Sequence, residues 1–288
     1  QEGRVTAQLC AVYLDDDWVN DAFRRGMEMV WNLHDQVRRT PELVLARTTQ
    51  DIRAAKAEGK VALILTFEGC EALGSDLRFL DLYHSLGLRS ASLTHTRRNI
   101  FADGCWEADN KGGLTQLGRT LVDRMEALGI VIDLVHIAES GFWEVLERTE
   151  RPVILSHTTP TMFPDTSSRD SAFMGGKLPR PRLELPRDRA MLEAIAANGG
   201  VLGLIHVAHV DIDSVVRDIE TALEVMGPQH VGLGSDHFGL EAAPRGLEDI
   251  AALPRLTETL AARGHSDEVL IGFLGGNYLR VFEEVWGG

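Results

Sequence analysis

Five side chains that can bind metal or move protons directly follow apolar runs of the sequence. They are Glu68, His95, His136, His157 and Asp236. Such groups rarely sit at the end of a buried run unless they are paired or bound to a metal ion. A single histidine in this position is more often a structural residue, but five such residues after five runs favour a shared site. Carboxylate and imidazole groups suit Zn²⁺ and similar divalent ions, which activate water for hydrolysis without a Ser or Cys nucleophile.

The elements that position these groups alternate between strands and helices. The strand candidates are Arg4–Leu14, Val61–Phe67, Ser90–Thr94, Ile130–Val135, Val153–Ser156, Val201–Ile205 and Val231–Gly234. The amphipathic stretches between them include Asp21–Val37, Leu117–Leu128, Glu139–Thr149, Asp188–Ala197 and Ile212–Val225. The strands are continuous apolar runs, which is typical of parallel strands buried on both faces. This alternation predicts an α/β barrel or a doubly wound sheet.

The distribution of polar residues favours the barrel. No Gly-x-Gly-x-x-Gly motif follows the first strand, so the dinucleotide-binding form of the open sheet lacks its signature. Reactive groups follow many different strands, and the strand ends of a barrel converge on one face. We therefore predict an α/β fold, a (β/α)₈ TIM-type barrel, with residues 1–288 as a single domain. Only seven strands are counted, so we expect the first βα unit to be missing and the domain to be N-terminally incomplete.

Composition excludes several classes of partner. The 288 residues carry a formal net charge of −14, which disfavours nucleic acid and anionic membranes. The three cysteines are widely spaced and form no Cys-x-x-Cys motif, which fits a reducing compartment. No apolar run reaches the length of a membrane span, and no targeting signal is visible at Gln1. We therefore predict a cytoplasmic protein without a membrane segment.

Further groups are candidates for supporting roles. His206 and His209 follow a strand at the same end as the reactive groups, and His237 adjoins Asp236. The Gly-rich segment Ser167–Arg182 is too long for a routine connection between a strand and a helix. It is either a cover for the substrate or a tolerated surface insertion.

Several of these segments resemble the membrane (renal) dipeptidases, a family of zinc metallopeptidases, in its bacterial form. The resemblance covers nearly the whole chain, and its motifs include GRVTAQLCAVY, LILTFEG, LTHTRRNIFADG, IDLVH, PVILSH, GLGSDHFG and GGNYLRVF. It implies the barrel fold, a site for two zinc ions, a small dipeptide substrate and a possible homodimer.

The resemblance also implies a role for each reactive residue. Glu68 would bridge both metal ions, and His136 and His157 would complete the second metal site. Asp236 would bind the first metal ion and take part in proton transfer. His95 would contact the substrate and stabilise the oxyanion.

Two features depart from the family pattern. The arginine that binds the substrate carboxylate is best matched by Arg182, with Arg180 as the alternative, although the surrounding PRPRLELPRD is unusual. The first metal site of the family also uses a His-x-Asp motif on a strand upstream of the GRV segment, and nothing in this sequence supplies it there. Either this strand is absent only from the present sequence, or the protein lacks it and one metal ion is lost.

The predicted function is therefore zinc-dependent hydrolysis of dipeptides by a metal-activated water. One alternative is a metallohydrolase that acts on another amide, a lactam or an ester. The other is a non-catalytic barrel with an incomplete metal site, which the missing His-x-Asp motif would favour.

Overall fold

A computed structural model gives the fold of residues 2–107, 112–160, 186–206, 209–239 and 242–287. The chain divides into two compact units. The N-terminal unit comprises residues 5–152 and 282–288, and the C-terminal unit comprises residues 1–4 and 153–281. Each unit alternates parallel strands with helices.

The N-terminal unit contains five strands and five α-helices among its described residues before Val153. In chain order they are β1 (Ala7–Tyr13), α1 (Ala22–Arg39), β2 (Leu43–Leu45), α2 (Thr49–Ala57), β3 (Val61–Glu68), α3 (Arg78–Leu86), β4 (Leu88–Ser92), α4 (Gln116–Leu128), β5 (Val131–Asp133) and α5 (Glu139–Arg148). Strands β1, β3, β4 and β5 neighbour one another in that order, and all their pairings are parallel.

Strand β2 was not predicted. It is three residues long and pairs in parallel with the start of β3, outside the main strand order. A run of three residues is too short for periodicity to distinguish it from a loop. The seven predicted strands all occur among the described residues, so β2 is an addition to them.

Burial explains why the sequence of β3 is so clearly that of a strand. Residues 62–67 are all buried, and Phe67 packs edge-on against Tyr83 with ring centroids 4.8 Å apart. The strand therefore has the core on both faces, as its continuous apolar sequence predicted. Its pairing with β1 ends at Tyr13 and Glu68, which brings these two residues side by side at the same end of the unit.

Local sequence signals set the helix boundaries. Thr48 and Asp51 form a reciprocal capping box at the start of α2, and Thr115 accepts a hydrogen bond from the Gly118 amide at the start of α4. Helix α3 ends at Gly87 in the left-handed conformation, which glycine adopts without steric cost.

The C-terminal unit continues the same alternation. Its elements are β6 (Ile154–Thr158), α6 (Pro186–Ala197), β7 (Val201–Leu204), α7 (Ile212–Met226), β8 (Val231–Leu233), α8 (Leu253–Ala262), α9 (Asp267–Ile271) and the first part of α10 (Asn277–Trp286). From Phe282 onward, α10 belongs to the N-terminal unit. Strands β6, β7 and β8 are parallel neighbours. The Asn277 amide donates hydrogen bonds to the carbonyls of Pro228 and Val231, which fastens the start of α10 to β8.

None of the helices in the described ranges is both long and apolar enough to cross a membrane.

Phe67→Ala should destabilise the protein by about 3–5 kcal/mol, because it leaves a cavity between β3 and α3. Leu82→Ala on α3 is the control, since Leu82 is 40% exposed and its truncation should cost less than about 1 kcal/mol. Urea unfolding monitored by circular dichroism gives both values. Equal effects of the two substitutions would contradict this account of the core.

Candidate metal centre

Glu68 is the last residue of β3, and the structure explains why a glycine follows it. Gly69 has φ +89°, a conformation that side chains rarely adopt, and a Cβ there would collide with the Glu71 carboxylate. The Gly69 amide donates a hydrogen bond to Ser92 Oγ, 2.9 Å away. The chain therefore turns sharply after Glu68, which is partly buried and held against the end of β4.

His136 approaches Glu68 from a turn after β5. Its Nε2 lies 3.0 Å from Glu68 Oε1, and the exposed fractions of the two side chains are 11% and 18%. The His136 backbone is left-handed, with φ +64°, which costs roughly 1–2 kcal/mol in a residue other than glycine. The Cys105 amide, 2.7 Å away, donates a hydrogen bond to the His136 carbonyl and holds this conformation.

His95 completes the cluster in the N-terminal unit. Its Nε2 lies 3.7 Å from Glu68 Oε1, and its ring centroid is 4.3 Å from that of His136. Tyr13, at the end of β1, also contacts the His95 ring, with ring centroids 4.7 Å apart and the ring planes tilted by 59°. Sequence analysis did not single out Tyr13, although it ends an apolar strand as the reactive residues do.

The chemistry of Glu68 and His136 fits a divalent metal ion. In the present arrangement His136 Nε2 bonds to the Glu68 carboxylate through a hydrogen that the imidazole nitrogen carries. Without that hydrogen both atoms could only accept hydrogen bonds. A metal ion of the zinc class binds this combination of carboxylate oxygen and imidazole nitrogen, and it displaces the hydrogen. Glu68, His136 and His157 can each offer one ligand atom to such an ion.

The C-terminal unit carries the two other predicted ligands. His157 lies in β6, one residue beyond the predicted strand end, and its Nδ1 is 2.9 Å from Ser156 Oγ. Asp236 follows β8 and is left-handed, with φ +49°. Gly239 packs so closely on the Asp236 carboxylate that no Cβ would fit between them. Arg182 and Arg180 lie outside the described residues.

The sequence does contain the His-x-Asp spacing, at His209–Asp211 and His265–Asp267. Both triplets stand at helix starts. Asp211 accepts a hydrogen bond from the Ser214 amide and caps α7, and Asp267 lies in the first turn of α9. The two histidines contact acidic residues of α7: His209 lies 3.1 Å from Asp218 and His265 lies 3.4 Å from Glu220. Neither triplet therefore matches the strand-borne motif of the family.

His206, after β7, is a buried base. It has no exposed surface, and neither of its ring nitrogens has a hydrogen-bond partner within the described ranges. Burial, together with smaller contributions from the nearby His209 and His237, lowers the pKa of His206 from the ordinary 6.5 to about 4. The imidazole is therefore neutral at pH 7.

The stability of the protein should fall as the pH falls from about 6.5 to about 4. Over this range the unfolded chain protonates His206 and the folded chain does not, so protonation favours unfolding by up to roughly 3 kcal/mol. Urea unfolding of the wild type and His206→Leu at pH 7.5 and 4.5 measures this term. The variant should show the smaller pH dependence, and equal pH dependence would contradict the assignment.

Known proteins resemble this chain along nearly its whole length. The chain matches the membrane dipeptidase family (peptidase family M19) over residues 1–171 and 178–286. It is 29% identical to Dipeptidase aclJ of Aspergillus oryzae over 99% of this chain and 68% of that protein. It is 28% identical to mouse Dipeptidase 3 over 99% of this chain and 56% of that protein. The chain thus spans little more than half of the mouse relative.

Two solved structures resemble the whole chain. One is the metallopeptidase dipeptidase AC, with a TM-score of 0.86 and 27% identity over 100% of this chain and 88% of that one. The other is a metallopeptidase from Rhodobacter sphaeroides bound to a phosphinate mimic of the dipeptide L-Ala-D-Ala, with a TM-score of 0.86 and 25% identity over 99% and 88%. They confirm the predicted fold class, an α/β fold of the TIM-barrel type. The chain therefore belongs to the membrane dipeptidase family of metallopeptidases.

Proposed function

We propose that this chain hydrolyses dipeptides with the help of bound zinc. The proposal rests on the partly buried contact between Glu68 Oε1 and His136 Nε2, which lie 3.0 Å apart after the ends of strands in a chain that resembles a dipeptidase structure. Zinc is the metal named in the proposal because a carboxylate and two imidazoles are ligands that it prefers in proteins.

Glu68, His136 and His157 would hold one ion, and Asp236 would belong to a second ion. A metal ion of this kind, when bound, acts as a Lewis acid that activates water and polarises a carbonyl group.

The remaining steps fall to the side chains around the metal. His95, beside Glu68, donates a hydrogen bond to the substrate carbonyl oxygen as negative charge develops there. Asp236 takes a proton and delivers it to the leaving amine, since a carboxylate can do both in turn. Arg182 pairs with the free carboxylate of the substrate, which would favour dipeptides over longer chains.

The relatives support the substrate class. The Rhodobacter sphaeroides metallopeptidase binds a mimic of a dipeptide, and the curated relatives are dipeptidases.

The purified chain, loaded with Zn²⁺, should cleave members of a dipeptide panel and lose this activity in the presence of a chelator. N-acyl amino acids and lactams belong in the same panel, because a related metallohydrolase would prefer them. If no dipeptide is cleaved and one of these other amides is, the function is that of another amide hydrolase. If zinc binds and no substrate reacts, the site is not catalytic.

Glu68→Gln should lower kcat/KM by roughly 100-fold or more, because the neutral amide is a far weaker metal ligand than the carboxylate. The matched control is Glu58→Gln, the same change at an exposed residue that ends α2. Zinc content per chain should fall in the first variant only. Full activity and metal content in Glu68→Gln would rule out the proposed ligand.

A further inference from the structure

The loop that follows β4 is organised by a single amide side chain, that of Asn99. Its Nδ2 donates hydrogen bonds to Glu71 Oε1 and to the Leu93 carbonyl, both at 2.8 Å. Its Oδ1 accepts hydrogen bonds from the Phe101 and Ala102 amides, at 2.8 and 3.2 Å. Both acceptors face the amide nitrogen and both donors face the amide oxygen, so the chemistry allows only one orientation of the group.

These bonds link the ends of two strands. Glu71 comes three residues after the end of β3, and Leu93 directly follows β4. The Cys70 amide also donates to the Leu93 carbonyl, at 3.1 Å. Asn99 therefore ties the segment after Glu68 to the segment that leads to His95.

The same loop reaches the segment after β5. The Ala138 amide donates to the Asp103 carbonyl at 2.9 Å, and the Cys105 amide donates to the His136 carbonyl at 2.7 Å. Between them, Gly104 forms a bridge with Ile137. Two backbone hydrogen bonds thus enclose the left-handed turn at His136 and set the direction of its ring.

The loop is tightly folded where it makes these bonds. A Cβ on Gly104 would collide with three backbone carbonyl oxygens, those of His95, Thr96 and Arg97. The Asp103 side chain is buried and paired with the Arg98 guanidinium, whose Nη2 lies 3.0 Å from Oδ2. A shift of the turn that Asn99 closes would therefore be passed to the Cys105 amide rather than absorbed within the loop.

We propose that Asn99 is a positioning residue for the metal-binding pair. Through the loop it holds Glu68, His95 and His136 at fixed positions relative to one another, and it touches none of the reacting atoms itself. The inference rests on the proposed function only in taking Glu68 and His136 as metal ligands. Groups that orient metal ligands from outside typically change metal affinity by 10–100-fold when they are lost.

Asn99→Asp is the sharpest test, because it keeps the size and the two acceptor bonds and removes both donors. The new carboxylate would face the Glu71 carboxylate and the Leu93 carbonyl, which repel it. We expect Zn²⁺ to bind about 10–100-fold more weakly, as measured by competition with a chromophoric chelator on the full chain. The matched control is Asn32→Asp on the exposed face of α1, which should bind Zn²⁺ as the wild type does.

The double variant Asn99→Asp with Glu71→Gln provides the rescue. The glutamine amide can donate to the aspartate, so it restores the bond with its direction reversed and should recover a large part of the Zn²⁺ affinity. A melting temperature taken without metal separates this effect from a loss of folding. If Asn99→Asp lowers the melting temperature and leaves Zn²⁺ affinity unchanged, or if Glu71→Gln fails to rescue the affinity, the positioning role is overturned.

The Zn²⁺ readout also separates this inference from the proposed function. A wild type that binds Zn²⁺, is weakened by Asn99→Asp and cleaves no dipeptide would support the positioning role and contradict the dipeptidase activity. If the wild type cleaves dipeptides and Asn99→Asp leaves the Zn²⁺ affinity unchanged, the dipeptidase activity is supported and the positioning role is contradicted.

Discussion

The structure of the site depends on one contact, that between the Glu68 carboxylate and the His136 imidazole. Both groups are partly buried, and their contact, or a metal ion shared between them, offsets the cost of burying the carboxylate. The contact joins the end of β3 to a turn after β5, with β4 between them. Whatever fixes the direction of His136 therefore decides whether the two groups can share an ion.

The backbone conformation that directs the His136 ring toward Glu68 costs free energy. His136 and Asp236 are two of the three non-glycine residues with positive φ in the described part of the chain. Such conformations persist where the surrounding structure over-determines them, and they concentrate at functional sites. For His136 the surrounding structure is the loop after β4, with the Cys105 amide on its carbonyl. For Asp236 it is the close approach of Gly239.

The sequence was informative where burial and chemistry conflict. Glu68 stands out because a carboxylate ends a strand buried on both faces, and His136 and His157 stand out for the same reason after β5 and in β6. The predicted strands follow from short, mainly apolar segments such as Val61–Phe67 and Val201–Ile205. The barrel-type fold and the family were accessible through these runs and the motifs at their ends.

Other features depend on contacts between distant segments and leave no local pattern. The tilted ring contact of Tyr13 with His95 depends on the pairing of β1 with β3, which no single segment encodes. In the sequence Asn99 looks like an ordinary loop asparagine, and no local pattern indicates its four hydrogen bonds. Strand β2 is too short to show periodicity. For His206 the sequence indicates a supporting role at most, and it gives no sign that the buried ring has no hydrogen-bond partner within the described ranges.

The most direct test of the account is the position of zinc in crystals of the chain grown with Zn²⁺. Anomalous diffraction measured on both sides of the zinc absorption edge locates the ion without reference to activity. A zinc peak is expected within bonding distance of Glu68 and His136, about 2.0–2.2 Å from the oxygen and nitrogen ligand atoms. A direct Glu68–His136 hydrogen bond with no zinc peak beside it would contradict the central claim.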